Sequence, residues 1–194
     1  SYDVQTKLTS FKTRPKKIKV GYFSSDFYSH AALRLIRAVF AEHSKNKFEF
    51  FYYSFGDINE TDELQSEFLL STENVVNLKA HSSKDIIDIV RKNKLHIALD
   101  LKGYTFNSRP EIFINRVAPI QINFLGFPGS LSMENMDFII ADQILIPKGA
   151  ENNYSEKILK MSGCYQPNGA VTKISKKKSR SYFGLPEKKI ILSS

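Results

Sequence analysis

Hydrophobic positions along this chain switch repeatedly between a spacing of two and a spacing near 3.6, and that switching predicts alternating strands and helices. Residues 16–24 (KKIKVGYFS) read as a first strand, and residues 31–43 carry Leu35, Ile36, Val39 and Phe40 at helical spacing. The aromatic run over 48–55 (FEFFYYSF) predicts a second strand, 61–70 a helix and 75–78 a short strand. Ser82 or Ser83 is placed to cap a helix whose apolar side is Ile86, Ile87, Ile89 and Val90, and 95–101 (LHIALDL) follows as a buried strand. Pro110 opens a short helix to Asn115, and 120–125 and 137–141 are two further strands. Strands separated by helices imply right-handed crossovers and a parallel sheet covered on both faces. The expected fold class is therefore α/β, a Rossmann-like parallel sheet with helices on both faces.

Composition narrows the classes without changing that picture. The chain has 194 residues and 42% apolar content, enough for one domain, or one and a fragment of a second. The longest apolar runs, such as residues 138–141, fall far short of the roughly twenty residues that a membrane helix needs. The single Cys164 excludes an internal disulfide framework and a cysteine-based metal site, and agrees with a reducing, cytoplasmic setting. The net charge of +8 lies at the ends. Residues 1–20 hold six basic residues against one acidic and residues 156–194 nine against two, while the middle holds thirteen against seventeen. A basic run such as Lys176-Lys177-Lys178 then reads as a solvated linker, and nucleic acid is not an expected partner. No glycine-rich dinucleotide fingerprint follows the first strand, where the sequence is Ser24-Ser25-Asp26-Phe27, so a nicotinamide cofactor has no support.

Candidate chemistry gathers where apolar strands give way to turn-forming residues, because loops at strand ends are where such sheets build sites. The two most informative stretches are Gly103-Tyr104-Thr105 with Arg109, and Leu125-Gly126-Phe127-Pro128-Gly129. At the other end, Gly184-Leu185-Pro186 makes a turn and residues 189–193 (KIILS) predict the start of another strand. A second lobe is expected to follow it.

Read in order, these motifs resemble one family. Gly21 to Phe27 with His30, Asp100-Leu101-Lys102-Gly103-Tyr104-Thr105 with Arg109, Ala118-Pro119-Ile120-Gln121 running into the 125–129 bend, and Asp137 to Asp142 resemble the catalytic region of the O-linked N-acetylglucosamine transferase and SPINDLY family. Tyr154-Ser155-Glu156-Lys157, Gly163 to Pro167, which has a bacterial look, and Gly184 to Glu187 extend the likeness over residues 16–194. The resemblance implies the N-terminal lobe of a GT-B glycosyltransferase. On that division residues 1–15 are a basic linker, 16–165 the lobe, and 166–194 an interlobe linker with the first strand of a missing C-terminal lobe.

The resemblance also implies roles. His30 matches the family's active-site His by its spacing from Ser25-Asp26-Phe27, and an imidazole there can exchange protons near neutral pH. The alternative is that His30 caps the helix starting at Ala31. Asp88 lies where a family Asp has been considered as proton acceptor, and is equally an ordinary polar-face residue of its helix. Arg109 can hold a carboxylate, phosphate or backbone carbonyl, or can pair with Glu111. Tyr104 and Thr105 offer hydroxyls to sugar or acceptor, and Leu125, Gly126, Pro128 and Gly129 form a bend whose glycines permit close backbone approach to a ligand or simply make turns. Three departures stand out: Ala31, Phe127 and Ser130 replace the family's usual Pro, Tyr and frequent Thr. His96 reads as a structural strand residue.

No His, Asp or Glu cluster has metal spacing, and no cofactor is expected beyond a nucleotide-sugar donor, UDP-N-acetylglucosamine foremost. The implied activity is inverting transfer of that sugar to Ser or Thr of an acceptor protein, with the second lobe and tetratricopeptide repeats as further partners and the present piece inactive alone. The competing reading is a noncatalytic protein-binding module that keeps the fold; another nucleotide-sugar enzyme such as an epimerase is a third.

Overall fold

Seven parallel strands form one sheet in the order β3-β2-β1-β4-β5-β6-β7 in a computed structural model that describes residues 15–59, 61–168 and 176–192. The elements are β1 (Ile18–Ser24), α1 (Ala31–Ala41), β2 (Phe48–Ser54), α2 (Glu63–Ser71), β3 (Val75–Asn77), α3 (Ser83–Asn93), β4 (Ile97–Asp100), α4 (Pro110–Ile114), β5 (Ile120–Asn123), β6 (Phe138–Ala141) and β7 (Lys157–Lys160). The chain builds outward from β1 through β2 and β3 to one edge, then returns to the other side of β1 with β4. A topological switch point therefore lies between β1 and β4, and ligands of open α/β sheets bind beyond the strand C-termini at such a point.

Helices cover both faces, as the periodicity predicts. On one face α1 and α2 pack Leu33, Ile36, Phe40, Leu64 and Phe68 against Val20, Tyr22, Tyr52 and Leu99. On the other, α3 and α4 pack Ile86, Val90, Ile112 and Phe113 against Phe23, Tyr53 and Ala98. The aromatic run of β2 pairs in register with β1, so that Tyr22 and Tyr52 stack 5.8 Å apart on one face and Phe23 and Tyr53 4.6 Å apart on the other. Ser82 caps α3 through a reciprocal pair with Asp85, and Lys94 ends it in the left-handed conformation at φ 51°. His96 accepts a hydrogen bond from the Lys19 backbone N–H at 2.7 Å, the structural role its strand position predicts.

Three expectations change. Residues 157–160 (KILK) form β7, a strand that the periodicity did not single out, because four residues with lysine at each end give little pattern; the lysines suit an unpaired sheet edge. Beyond α4 no α-helix separates the strands, and β5, β6 and β7 are joined by irregular loops. Residues 189–192 form no strand: no ladder is available to them, and Ile190 and Leu192 are 92% and 93% exposed. The expected basic linker over 1–15 lies, except for its last residue, outside the described residues.

Where helices are missing, buried polar side chains hold the loops. Gln121, fully buried, accepts from Val117 N–H and donates to the Phe113 and Asn135 carbonyls at 2.9, 2.9 and 2.6 Å. Arg116 binds Asp137 in a two-pronged ion pair at 2.9 and 2.8 Å, and Asp137 also accepts from the Gln121 backbone N–H. Replacing Gln121 with Leu strands two buried backbone groups and a third that is half-buried. Gln121→Leu is expected to lower unfolding free energy by about 2–4 kcal/mol, read as a reduced urea midpoint at unchanged slope.

Candidate functional site

Two loops meet above the switch point. The first, Ser25 to His30, leaves β1; the second, Leu101 to Arg109, leaves β4. Between them, and beyond the ends of β2 and β3, lies a crevice of about 530 Å³ bordered by Ser25, Tyr28, Gly56, Lys79, Asn107 and Arg109 among others. A second groove of about 550 Å³, floored by Phe40, Phe48 and Phe50, opens between α1 and α2. It lies toward the N-terminal ends of the strands, away from the switch-point side, and holds none of the candidate residues.

His30 sits at the N-cap of α1. Its Nδ1 accepts the Ala32 backbone N–H at 3.2 Å and stands 3.6 Å from Asp26 Oδ2. The ring is about two-fifths exposed and lies 5.4 Å from that of Tyr28. Both readings of the sequence thus meet in one residue, since capping uses one edge of the imidazole and leaves the Nε2 edge without a partner among the described residues.

Beneath His30 is a buried ion pair that sequence reasoning missed. Lys102 Nζ lies 2.5 Å from Asp26 Oδ2, and the two side chains are only 5% and 9% exposed. Asp26 Oδ1 accepts from Ser25 Oγ at 3.0 Å, and the Asp26 backbone N–H donates to Ser24 Oγ at 2.9 Å. The pair ties the β1 loop to the β4 loop. Neither residue has a local sequence signal, because their partnership spans 76 positions.

The β4 loop is fixed from within. Asp100, at the end of β4, accepts from the Lys102 N–H at 2.8 Å. Burial pushes its carboxyl up to about 6, against the opposing pull of the Lys102 and Gly103 N–H groups and the Lys102 ammonium. Gly103 adopts φ +55°, and a Cβ there would meet Phe127 Cβ at 2.5 Å, so glycine is required on two counts. Thr105 Oγ1 donates to the Lys102 carbonyl at 2.9 Å, and the Tyr104 hydroxyl donates to the Leu131 carbonyl at 2.5 Å. Both hydroxyl protons are therefore engaged within the chain, although the Tyr104 ring is half exposed.

Arg109 lines the crevice, but its guanidinium donates to the His81 carbonyl at 2.7 Å and the Lys79 carbonyl at 3.4 Å, and rests 5.8 Å from the Phe55 ring. Of the alternatives open to it, the backbone carbonyl is the one observed. Glu111, the competing partner, instead accepts from Ser83 Oγ.

The 125–129 bend follows β5 and reaches the same edge of the sheet. Leu125 is buried at φ 74°, and a Cβ on Gly126 would stand 2.1 Å from the Leu101 carbonyl oxygen and 3.2 Å from Lys102 Cα. The close approach at Gly126 is to the chain's own backbone rather than to a ligand. A Cβ on Gly129 would meet the Phe127 ring at 2.8 Å. Asn123, fully buried, donates to the Phe127 and Gly129 carbonyls at 3.1 Å each and so shapes the bend, leaving Pro128 exposed. Glu156, from the Tyr154-to-Lys157 motif, accepts from the Leu131 N–H at 2.6 Å and Ser130 Oγ at 2.7 Å and anchors the far side.

Asp88 is not drawn in. It sits mid-way along α3, exposed, with no hydrogen bond or ion pair to the loop residues. Among the described residues no group of three or more His, Cys, Asp and Glu side chains is placed to hold a metal, and no helix is long and apolar enough to cross a membrane.

The strand order and the crevice at its switch point define a Rossmann-like α/β lobe of the kind found in GT-B glycosyltransferases. The chain belongs to glycosyltransferase family 41, whose family model matches residues 2–192. It is 34% identical over 184 residues to a probable UDP-N-acetylglucosamine–peptide N-acetylglucosaminyltransferase, SEC, of Arabidopsis thaliana, covering 92% of this chain and 19% of that protein. A Caenorhabditis elegans UDP-N-acetylglucosamine–peptide N-acetylglucosaminyltransferase is 30% identical over 147 residues, covering 75% and 13%. A solved Thermobaculum terrenum O-GlcNAc transferase mutant shares the fold at a TM-score of 0.77 and 23% identity, over 82% of this chain and 30% of that one. The chain thus spans about a fifth or less of the length of these two curated relatives. The family read from the strand-end motifs is borne out.

Two predictions follow from this geometry. Because Asp100 titrates near 6 when folded and near 3.9 when unfolded, the folded chain holds the extra proton between those values and stability falls as pH rises across that window. Urea midpoints measured from pH 4 to 7 are expected to decline by up to about 3 kcal/mol equivalent, and the decline is expected to vanish in Asp100→Asn. Gly126→Ala forces backbone against backbone and is expected to cost more, about 1–3 kcal/mol, than Gly129→Ala, which meets a ring able to turn; paired denaturation curves check the ranking.

Proposed function

We propose that this chain is the acceptor-side lobe of a protein O-glycosyltransferase that transfers N-acetylglucosamine, with inversion, from UDP-N-acetylglucosamine to Ser or Thr hydroxyls. Residues 16–165 form the lobe, residues 166–194 lead toward a second lobe, and the main diphosphate-binding groups belong to that second lobe. The observation that carries the reading is the crevice beyond the C-terminal ends of β1 to β4, lined by Ser25 and Tyr28 of the β1 loop on one side and by the Arg109 loop on the other, with His30 following in the same β1 loop. The relatives, UDP-N-acetylglucosamine–peptide N-acetylglucosaminyltransferases, suggest the donor and the peptide acceptor.

In-line transfer needs an acceptor hydroxyl held against the anomeric carbon, a hydrogen-bonding group near the reacting oxygens, and stabilisation of the departing diphosphate. In this chain His30 supplies an imidazole with one edge free, fixed in place by its cap bond. Arg109 acts at one remove, holding the β3–α3 connection so that the crevice keeps its shape. Tyr104, Thr105 and the 125–129 bend form the adjoining wall. Asp88, outside the cluster, is the weakest of the candidates for proton acceptor.

The test is transfer of labelled sugar from UDP-N-acetylglucosamine to peptide by a protein carrying both lobes, with the present chain alone as comparison. The two-lobed protein is expected to turn over and the chain alone to be inactive; strong turnover by the chain alone would sink the division of labour. His30→Asn in the two-lobed protein, which keeps a capping side chain, is expected to reduce turnover about 100-fold or more with melting temperature nearly unchanged, and wild-type rates would remove His30 from the site. Specific binding of a protein with no transfer from any nucleotide sugar would point instead to a noncatalytic module.

A further inference from the structure

Two groups compete for the same nitrogen of His30. The Ala32 backbone N–H, 3.2 Å away, requires a lone pair on Nδ1, whereas Asp26 Oδ2, 3.6 Å away, would draw a proton onto Nδ1. One ring nitrogen cannot satisfy both. The outcome depends on how much demand the Asp26 carboxylate has left. Lys102 Nζ lies 2.5 Å from that same Oδ2 in a nearly solvent-free setting, and Ser25 Oγ donates to Oδ1 at 3.0 Å. A carboxylate whose charge is matched and whose two oxygens each receive a donor has little call on a third.

We propose that Lys102 is a positioning residue that fixes the tautomer of His30. By occupying Asp26 Oδ2 it leaves Nδ1 unprotonated to accept the Ala32 N–H, and the imidazole proton resides on Nε2, the edge with no partner among the described residues. Neutral His30 then presents an N–H donor, not a lone pair, on its partly exposed edge. It suits a ligand oxygen such as a phosphate, carbonyl or sugar hydroxyl oxygen, and the acceptor hydroxyl's proton leaves by another route. That consequence rests on the glycosyltransferase reading, but the tautomer is a property of the lobe itself and stands or falls separately.

The experiment is long-range ¹H–¹⁵N correlation of the imidazoles in the ¹⁵N-labelled chain at pH 8.5, with His30 assigned by the signal lost in His30→Asn, which keeps a capping side chain. In the wild type, His30 Nε2 is expected in the protonated range and Nδ1 in the unprotonated range. Lys102→Met is expected to reverse the pattern, because the uncovered Asp26 charge now takes an N–H from Nδ1. Asp26→Asn combined with Lys102→Met, which removes both charges, is expected to restore the wild-type pattern; Lys102→Arg is expected to keep it. Should Lys102→Met fail to fold with its unpaired buried carboxylate, Lys102→Ala in a stabilising osmolyte, which likewise puts no side-chain donor at Asp26, carries the same expected reversal. A wild-type proton on Nδ1, an unchanged pattern in the charge-removing single variant, or a reversed pattern in the double variant would each overturn the proposal.

Discussion

A single buried ion pair sets the geometry on which the rest of this lobe depends. Lys102 and Asp26 leave strands that are neighbours in the sheet but 76 residues apart in the chain, and their contact bridges the point where the strand order reverses. Sheet pairing already holds β1 beside β4, so the ion pair is not needed to bring the strands together. It decides how the loops above them stand. A charge buried this deeply is costly unless matched, and removing either partner leaves the other without compensation, a cost on the order of 3–5 kcal/mol. The loops are consequently locked to each other as well as to the ends of their own strands. Lys102 also touches the third wall: its Cα lies where Gly126 has room only because it lacks a Cβ. One residue thereby joins the β1, β4 and β5 loops.

The two halves of the sheet reach rigidity by different means. From β1 to β4, paired aromatic strands and capped helices give an apolar core on each face, and loops are short. From β5 onward the helices stop, and the long connections are held by Gln121, Asn123, Asp137 and Glu156, each buried or half-buried and each binding backbone groups. Buried polar side chains of this kind specify one loop conformation at close to no net stabilisation, since their value lies in the penalty for any arrangement that leaves them unpaired. Asp142 belongs to the same device. Backbone N–H groups, that of Leu145 foremost, hold its carboxyl below the usual range, and one of them comes from Tyr165, which brings the chain back to the sheet after β7.

Legibility in the sequence follows the range of the interaction. The helices and most strands were readable because they rest on local periodicity and caps: residues 31–43, predicted helical, form α1 to Ala41, and Ser82 is the cap it is placed to be. The loop motifs were readable as a family likeness, yet their internal logic was not. Gly126 and the Tyr104 hydroxyl looked available to a ligand, and the fold spends both on the chain's own backbone. Arg109 could have bound an anion or Glu111, and the deciding carbonyls lie 28 and 30 residues away. Asp26 and Lys102 carried no signal apart from the motifs around them, since a charge in a loop reads as surface until its partner is known. β7 escaped for the opposite reason, being local but too short and too charged to show a period.

The open side of the crevice is the feature on which the proposed reaction turns. Tyr28, which lines the crevice, is partly exposed, and in the neighbouring β4 loop Tyr104 is half exposed and Phe106 86% exposed while Lys102 is buried. In the proposed reaction those rings would need covering, because a hydrogen bond from His30 to a reacting oxygen would gain strength only where water is excluded. Among the described residues nearly every buried side-chain nitrogen and oxygen is paired, Arg91 Nε and Asn123 Oδ1 excepted, whereas the crevice opens to solvent. On the proposed reading a second surface would meet this one at the strand C-termini, where the β1 and β4 loops are held to each other by Lys102 and Asp26.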